Sequence, residues 1–344
     1  MHCRYCWRCW CWCRIDSCFL ICCVQYSEVS LLSKTFIVNL VSQTSFAQKN
    51  ASVIHLLQKL MDILKDDKKI MDCQKVWSLP SLPFNFMVKY NADAIKFVEE
   101  YVASGKSGLY GISDWNIVQK ERKGKTAYID TRIKCSDAGA GKHDYGYSIS
   151  LIFQSDVARK LMQGGMEKIV EEMAQVISAD IGRIDYTAYY LGGGIISSES
   201  IAIAAKWIYP DDIDLTGLIP GASWWTLLSA QHFSKLGGKE EIMKRAPCFA
   251  VHDISTGTYE ALALQLSPDP FDTREDDYAI LRQYLRPVLP PVNIYSLAFE
   301  LNVGNIPLSR IKQLVTDEEL AQAESLRSIS NPELRSKSME ANKK

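Results

Sequence analysis

The chain has 344 residues and a formal net charge of −1, so there is no global electrostatic case for binding nucleic acid or an anionic membrane surface. Its 47% hydrophobic content is that of a globular protein. No apolar run approaches the roughly 20 residues of a membrane-spanning helix; the length allows two or three domains or one large one, and without a convincing signal peptide a cytoplasmic protein is expected.

Eight of the eleven cysteines fall in the first 23 residues: Cys3, Cys6, Cys9, Cys11, Cys13, Cys18, Cys22 and Cys23. Cys3-x-x-Cys6 and Cys6-x-x-Cys9 have the spacing of zinc or iron–sulfur ligands. A zinc knuckle also needs a second ligand pair a loop away and turn residues between the pairs, and here tryptophans and arginines stand instead. The apolar stretch "CFLICCV" is short for a secretory signal and lacks a small-residue cleavage site. Cysteine, tryptophan and arginine share TG- and CG-rich codons, so the favoured reading is that this segment is not native coding sequence, with Met61 or Met71 as the natural start. Residues 1–70 are therefore set apart as a poorly specified N-terminal segment, although Ile54, Leu57, Leu60, Met61 and Leu64 carry a helical spacing. A single domain is expected over 71–316 and a charged, flexible tail over 317–344.

From Met71 the pattern becomes regular. "WSLPSLPFNFMVKY" reads as a loop entering a strand, with Phe84, Phe86 and Val88 on one face. "NADAIKFVEEYVASG" has helical spacing, capped by Asn91 and ended by Gly105. Two strands joined by the charged turn "KERKGK" follow, then the glycine-rich loop "SDAGAGKHDYG" and the strand "YSISLIFQ". The longest helix, capped by Ser155, buries Val157, Leu161, Met162, Met166, Ile169, Val170, Met173 and Val176. Gly164-Gly165 weakens its middle by about 1 kcal/mol per glycine relative to alanine and could split it in two. "RIDYTAYYLGGG" reads as a strand and "SSESIAIAAKWIY" as a short helix.

In "PGASWWTLLSAQHFSKLGG" neighbouring strand residues point to opposite faces. Ala222, Trp224, Thr226 and Leu228 line one side; Ser223, Trp225 and Leu227 line the other. Both sides are apolar, as in an interior strand, and Trp224, Trp225, Leu227 and Leu228 are expected in the core. Ser229 then caps a helix closed by Gly237-Gly238. "CFAVHDIST" and "YEALALQLS" form a hairpin about Gly257, "TREDDYAILRQYLRPVLPP" is a helix stopped by Pro287, and "VNIYSLAFEL" reads as a last strand.

This order predicts an α+β fold, mostly antiparallel sheet with packed helices. Strand, serine-capped helix and strand recur at "YSISLIFQ" and at "GASWWTLLS", an echo compatible with two similar α/β halves.

The search for chemistry yields little. "GAGKHD" lacks the spacing and the Ser/Thr of a phosphate loop. The Gly192–Gly194 turn begins a dinucleotide-type pattern, but Ser197 stands where its third glycine belongs. It supports an alternative reading as a small-molecule or nucleotide-binding enzyme; a scaffold protein is a further alternative. No histidine pair has metal-ligand spacing, so no metal and no cofactor is expected. His252 and Asp253 are adjacent on a strand and face opposite ways. No serine or cysteine nucleophile motif occurs. Two acidic groups, Asp211, Asp212 and Asp214, then Asp269, Asp272, Glu275, Asp276 and Asp277, lack calcium-loop spacing. They are either solvated loops or an acidic surface for a basic partner.

"PGASWWTLLSAQHFSKLGGKEEI" resembles a motif of the type VI secretion immunity proteins: a short apolar strand with an aromatic, "LLS", and a helix closing in "LGG". The strand pair "FAVHDISTGTYEALALQLSPDP" and the helix ending near "LRPVL" are also similar. The likeness extends over residues 75–300 and is specific from Pro220 to Pro287. It implies a non-catalytic protein that binds and neutralises a cognate toxic effector, with no catalytic residues to carry over. The acidic loops are the candidate contacts, since a nuclease effector would present a basic cleft.

Overall fold

The computed structural model describes residues 34–43, 50–72, 74–80, 86–91, 108–114, 129–135, 147–190, 194–195, 217–219, 221–289, 292–303 and 315–341, with positions 93, 96 and 100. Of the two units into which the chain divides, Met1–Leu31 and Leu32–Lys344, the first lies outside these residues, so the fold is that of the second. The cysteine cluster, the "GAGKHD" loop and the expected helix at "SSESIAIAAKWIY" also lie outside them.

The strands are β1 (Lys34–Ser42), β2 (Gln74–Pro80), β3 (Phe86–Lys89), β4 (Gly108–Asp114), β5 (Ile129–Cys135), β6 (Tyr147–Gln154), β7 (Ile181–Tyr190), β8 (Gly194–Ile195), β9 (Trp225–Ser229), β10 (Ala250–Asp253) and β11 (Ala261–Gln265). Ten of them form one sheet in the order β10-β11-β9-β7-β1-β6-β5-β4-β2-β3, and β8 pairs with β7. Every ladder between the described strands is antiparallel. With the helices below, this is the expected α+β class.

The sequence echo has a topological counterpart. β6 and β7 both run antiparallel to β1, which lies between them, so they are parallel to each other. Helices α3 (Ser155–Gln163) and α4 (Met166–Ile177) make the crossover. Likewise β9 and β10 both flank β11 antiparallel, and α5 (Ala230–Phe233) and α6 (Lys239–Arg245) cross between them. Each half is a pair of parallel strands split by one antiparallel strand. The splitting strand precedes the crossover in the first half and follows it in the second.

The largest departure from expectation concerns residues 34–70. They are not outside the fold: β1 sits between β6 and β7, with Phe36, Val38 and Leu40 fully buried. Helix α1 (Asn50–Ile63) packs against α3 and α4, burying Ile54, Leu57, Leu60 and Met61; Leu64 just beyond its end and Ile70 of the one-turn helix α2 (Lys68–Met71) join the same core. A domain beginning at Met71 would lack a central strand and a core helix. Phe36, Val38 and Leu40 alternate with Ile37, Asn39 and Val41, the period of two that a sheet imposes. The even positions face α1, α3 and α4 with Ile149, Leu151, Phe153 and Ile184. The odd positions share the opposite face with Arg183 and Asp185.

The long helix does break at Gly164-Gly165: Gly165 takes a left-handed conformation (φ 88°) between α3 and α4. Ser155 is not its cap; Gln154 occupies that position without a side-chain bond, and Ser155 Oγ instead lies 3.1 Å from the Tyr186 hydroxyl. Helix α7 (Glu275–Leu285) passes into a 3-10 turn, Arg286–Val288.

"VNIYSLAFEL" is a helix, α8 (Ile294–Val303), not a strand. Together with α9 (Asp317–Ser325) and α10 (Asn331–Ala341), both in the expected tail, it builds a second small core of Val292, Leu297, Ala298, Val315, Leu320, Ala323 and Leu334. Thr316 opens α9 with a reciprocal cap: its N–H donates to Glu319 at 2.9 Å, and Glu319 N–H donates to Thr316 Oγ1 at 3.2 Å. An Arg286–Glu319 ion pair fastens α9 to the 3-10 turn. The tail is folded because Leu320 and Ala323 of α9 and Leu334 of α10 reach this small core, while most of its charged residues stay outside.

Candidate functional site

The segment that carries the resemblance lies in the sheet interior. β9 pairs with β7 on one side and β11 on the other, and Trp224, Trp225, Leu227 and Leu228 are fully buried. Trp224 Nε1 donates to the carbonyl of Ser267 at 2.8 Å, whereas Trp225 Nε1 is buried with no partner among the described residues. Removing an indole of about 200 Å² from water is worth several kcal/mol at about 25 cal/mol per Å². These tryptophans are core residues that hold the sheet together.

Just beyond β9 the chain turns on a histidine. His232 is fully buried. Its Nδ1 accepts the Ser229 backbone N–H at 3.1 Å, and its Nε2 faces the Leu218 carbonyl at 3.4 Å. A ring nitrogen that accepts an N–H carries no proton, so Nε2 holds the ring proton and the imidazole is neutral. Burial drives its pKa below the ordinary value of 6.5, with Lys235 adding to that and the backbone bonds opposing it. Ser229 Oγ donates to the Asp180 carbonyl at 2.9 Å. Ser229 and His232 thus splice strand to helix. Cys248 likewise is no activated nucleophile: burial pushes its thiol up to about 11.

The acidic groups are only partly described. Asp211, Asp212 and Asp214 lie outside the described residues, as do Gly192 and Gly193; Gly194 pairs with Tyr190. Within the second group, Asp269 Oδ1 accepts from the Phe271 N–H at 2.8 Å and caps a short 3-10 turn. Asp277 is gripped by Arg274, whose Nε and Nη2 lie 3.2 and 2.9 Å from its two oxygens, and this bond holds its carboxyl below the usual range. Asp272 and Asp276 are exposed. Glu275 is the first residue of α7. Part of the run therefore ends and begins helices, and Asp272 and Asp276 are the described carboxylates open to a partner.

Two further acidic clusters are assembled by the fold. Asp185, on the face away from α3 and α4, is 3% exposed. It accepts from the Tyr278 hydroxyl at 2.9 Å and the Tyr186 N–H at 3.0 Å. Burial raises its pKa, and Arg183 and these bonds work against that rise. Tyr278–Asp185 docks α7 onto the sheet.

The other cluster joins Glu167 and Glu171, one turn apart on α4, to His252 of β10, with one potential ligand atom from each within 4.8 Å of the others. His252 Nδ1 lies 3.1 Å from Glu171 Oε1 and its Nε2 lies 3.2 Å from Gln265 Oε1. Burial raises the pKa of Glu167, which His252 lowers and Glu171 raises further. Asp253 points the other way, to Lys239 at 2.8 Å, as strand alternation requires. No ligand pair is visible in the sequence because His252 follows Glu171 by 81 positions. Glu167-x-x-x-Glu171 on a helix was the available signal.

The sequence matches no protein-family model and no curated protein. Among solved structures the fold is similar to that of a Pseudomonas aeruginosa T6SS protein, at 11% identity and a TM-score of 0.53, over 87% of this chain and 86% of that one. At that identity the likeness establishes a shared fold. No helix among the described residues is long and apolar enough to cross a membrane.

Proposed function

We propose that this chain is a non-catalytic immunity protein that binds and neutralises a toxic effector of type VI secretion, acting in the cytoplasm. The observation that carries the reading is a conjunction. The segment resembling type VI secretion immunity proteins, Pro220–Pro287, supplies β9, β10 and β11 of a fold that is shared along 87% of the chain with a T6SS protein. His232 and Cys248 support a binding role, because each is committed to backbone contacts. Asp272 and Asp276 offer exposed negative charge beside α7, suited to the basic cleft of a nuclease effector.

The test is co-expression of the full-length chain with the product of the adjacent gene. Rescue of growth and a co-purifying complex are expected, and Asp272→Lys with Asp276→Lys should slow association about tenfold or more without unfolding the protein. A toxic neighbour that this chain neither binds nor suppresses would overturn the proposal.

A further inference from the structure

We propose that Glu167, Glu171 and His252 form a binding site for one divalent first-row transition-metal ion, with Zn²⁺ as the probe, which ties helix α4 to the edge strand β10. The site is independent of the immunity reading.

Three features of the geometry support it. First, the ligand set is compact: one atom from each side chain lies within 4.8 Å of the other two. Tetrahedral ligands about 2.1 Å from a zinc ion stand about 3.4 Å apart. His252 Nδ1 and Glu171 Oε1, at 3.1 Å, are close to that separation, and Glu167 already lies within 4.8 Å of both.

Second, the imidazole is oriented as a ligand. Its Nε2 faces the Oε1 of Gln265, an acceptor on β11 that is 7% exposed. With its proton on Nε2 the ring donates to that oxygen, the arrangement of metal-bound histidines, whose second nitrogen characteristically donates to an oxygen. In that form Nδ1 turns its lone pair toward Glu171 Oε1 at 3.1 Å, and a proton or a metal ion is what bridges two such acceptors.

Third, a proton alone does not satisfy the cluster. Shared between Nδ1 and Glu171, it leaves Glu167 Oε1 shielded from solvent with no hydrogen-bond partner among the described residues. One cation serves all three groups at once. Imidazole with two carboxylates suits zinc and its first-row neighbours better than magnesium or calcium, which take oxygen ligands. The His252 and Glu171 side chains are 35% and 19% exposed, so the ion enters from solvent and a water fills its remaining coordination position.

The consequence is mechanical. Among the described strands, β10 is the outermost at its end of the sheet. It is held to α4 by this cluster and by the Gln175 Nε2 bond to the Ile254 carbonyl at 3.1 Å. A bound ion adds a link that the unfolded chain does not make, and so stabilises the folded state.

The experiment uses the full-length protein, stripped with EDTA and then titrated with ZnCl₂. Because the N-terminal cysteines also have affinity for zinc, the readout is the difference between wild type and two variants, His252→Gln and Glu167→Gln. Wild type is expected to bind one equivalent more than either variant, and to gain a few degrees in Tm on saturation that the variants do not gain. Equal zinc content and an equal Tm response in wild type and variants would overturn the proposal. Glu167→Gln is nearly isosteric, so the comparison survives if His252→Gln does not fold.

Discussion

Gly182 on β7 stands opposite Leu227 on β9, and a side chain at 182 has nowhere to go. A Cβ there would lie 3.0 Å from Leu227 Cβ, 2.8 Å from Leu40 Cδ2 and 3.3 Å from Trp225 Cζ3. The glycine leaves the room that the Trp225 ring and the Leu40 side chain occupy against β7. We expect Gly182→Ala to cost about 1–3 kcal/mol through overpacking, measured by urea denaturation. An unchanged midpoint would mean that Leu40 and Trp225 can move aside freely.

The adjacent tryptophans should separate under mild substitution. Alanine at either position removes a fully buried indole and should cost about 3–5 kcal/mol. Phenylalanine distinguishes them. Trp224→Phe leaves the Ser267 carbonyl without its donor, whereas Trp225→Phe removes an N–H that has no partner. Trp225→Phe should therefore be the milder change by about 1 kcal/mol. Equal losses by chemical denaturation would refute this ordering.

A chain beginning at Asp72 should not fold. It lacks β1, whose loss would leave β6 and β7 without their shared neighbour, and α1, whose buried face contacts α4. Circular dichroism of that fragment should show a loss of cooperative melting. A cooperative transition near that of the full chain would show that the sheet can close without β1.

Stability should depend on His232 in acid. Its folded pKa lies below the unfolded value near 6.5, so as pH falls through that value the unfolded chain takes up a proton that the folded chain refuses. The wild type should therefore lose stability below about pH 6.5, with the unfolded state binding more protons. Asp180 and Asp185, raised by burial, act in the opposite direction. The test is accordingly the difference between wild type and His232→Gln, followed from pH 7.5 to 5. The variant's disadvantage should shrink as pH falls; a difference that stays constant would place the histidine's pKa elsewhere.

The sequence by itself determined what local periodicity and turn chemistry can encode. The strand "YSISLIFQ" is β6, with Tyr147, Ile149, Leu151 and Phe153 buried on one face and the other face half-buried. Gly164-Gly165 divides the long helix, and the hairpin turns about Gly257, which has a left-handed φ of 58°. Strand parity assigned Trp224 and Trp225 to opposite faces of an interior strand, and both are fully buried; the strand–helix–strand echo suggested two similar halves, although Ser155 does not cap its helix. Each of these follows from the stereochemistry of a few neighbouring residues.

Tertiary structure decided the rest. "VNIYSLAFEL" is apolar nearly throughout, and such a run has no period to separate strand from helix. It is helical because α9 and α10 arrive to cover Leu297 and Ala298. Residues 34–42 follow a segment of odd composition, and their place in the sheet depends on β6 and β7, each more than a hundred residues away. The cluster of Glu167, Glu171 and His252 exists only because β10 returns beneath α4. A carboxylate pair one helical turn apart is ordinary in a sequence; what makes it chemistry is the histidine that pairing of β10 with β11 brings within 3.1 Å.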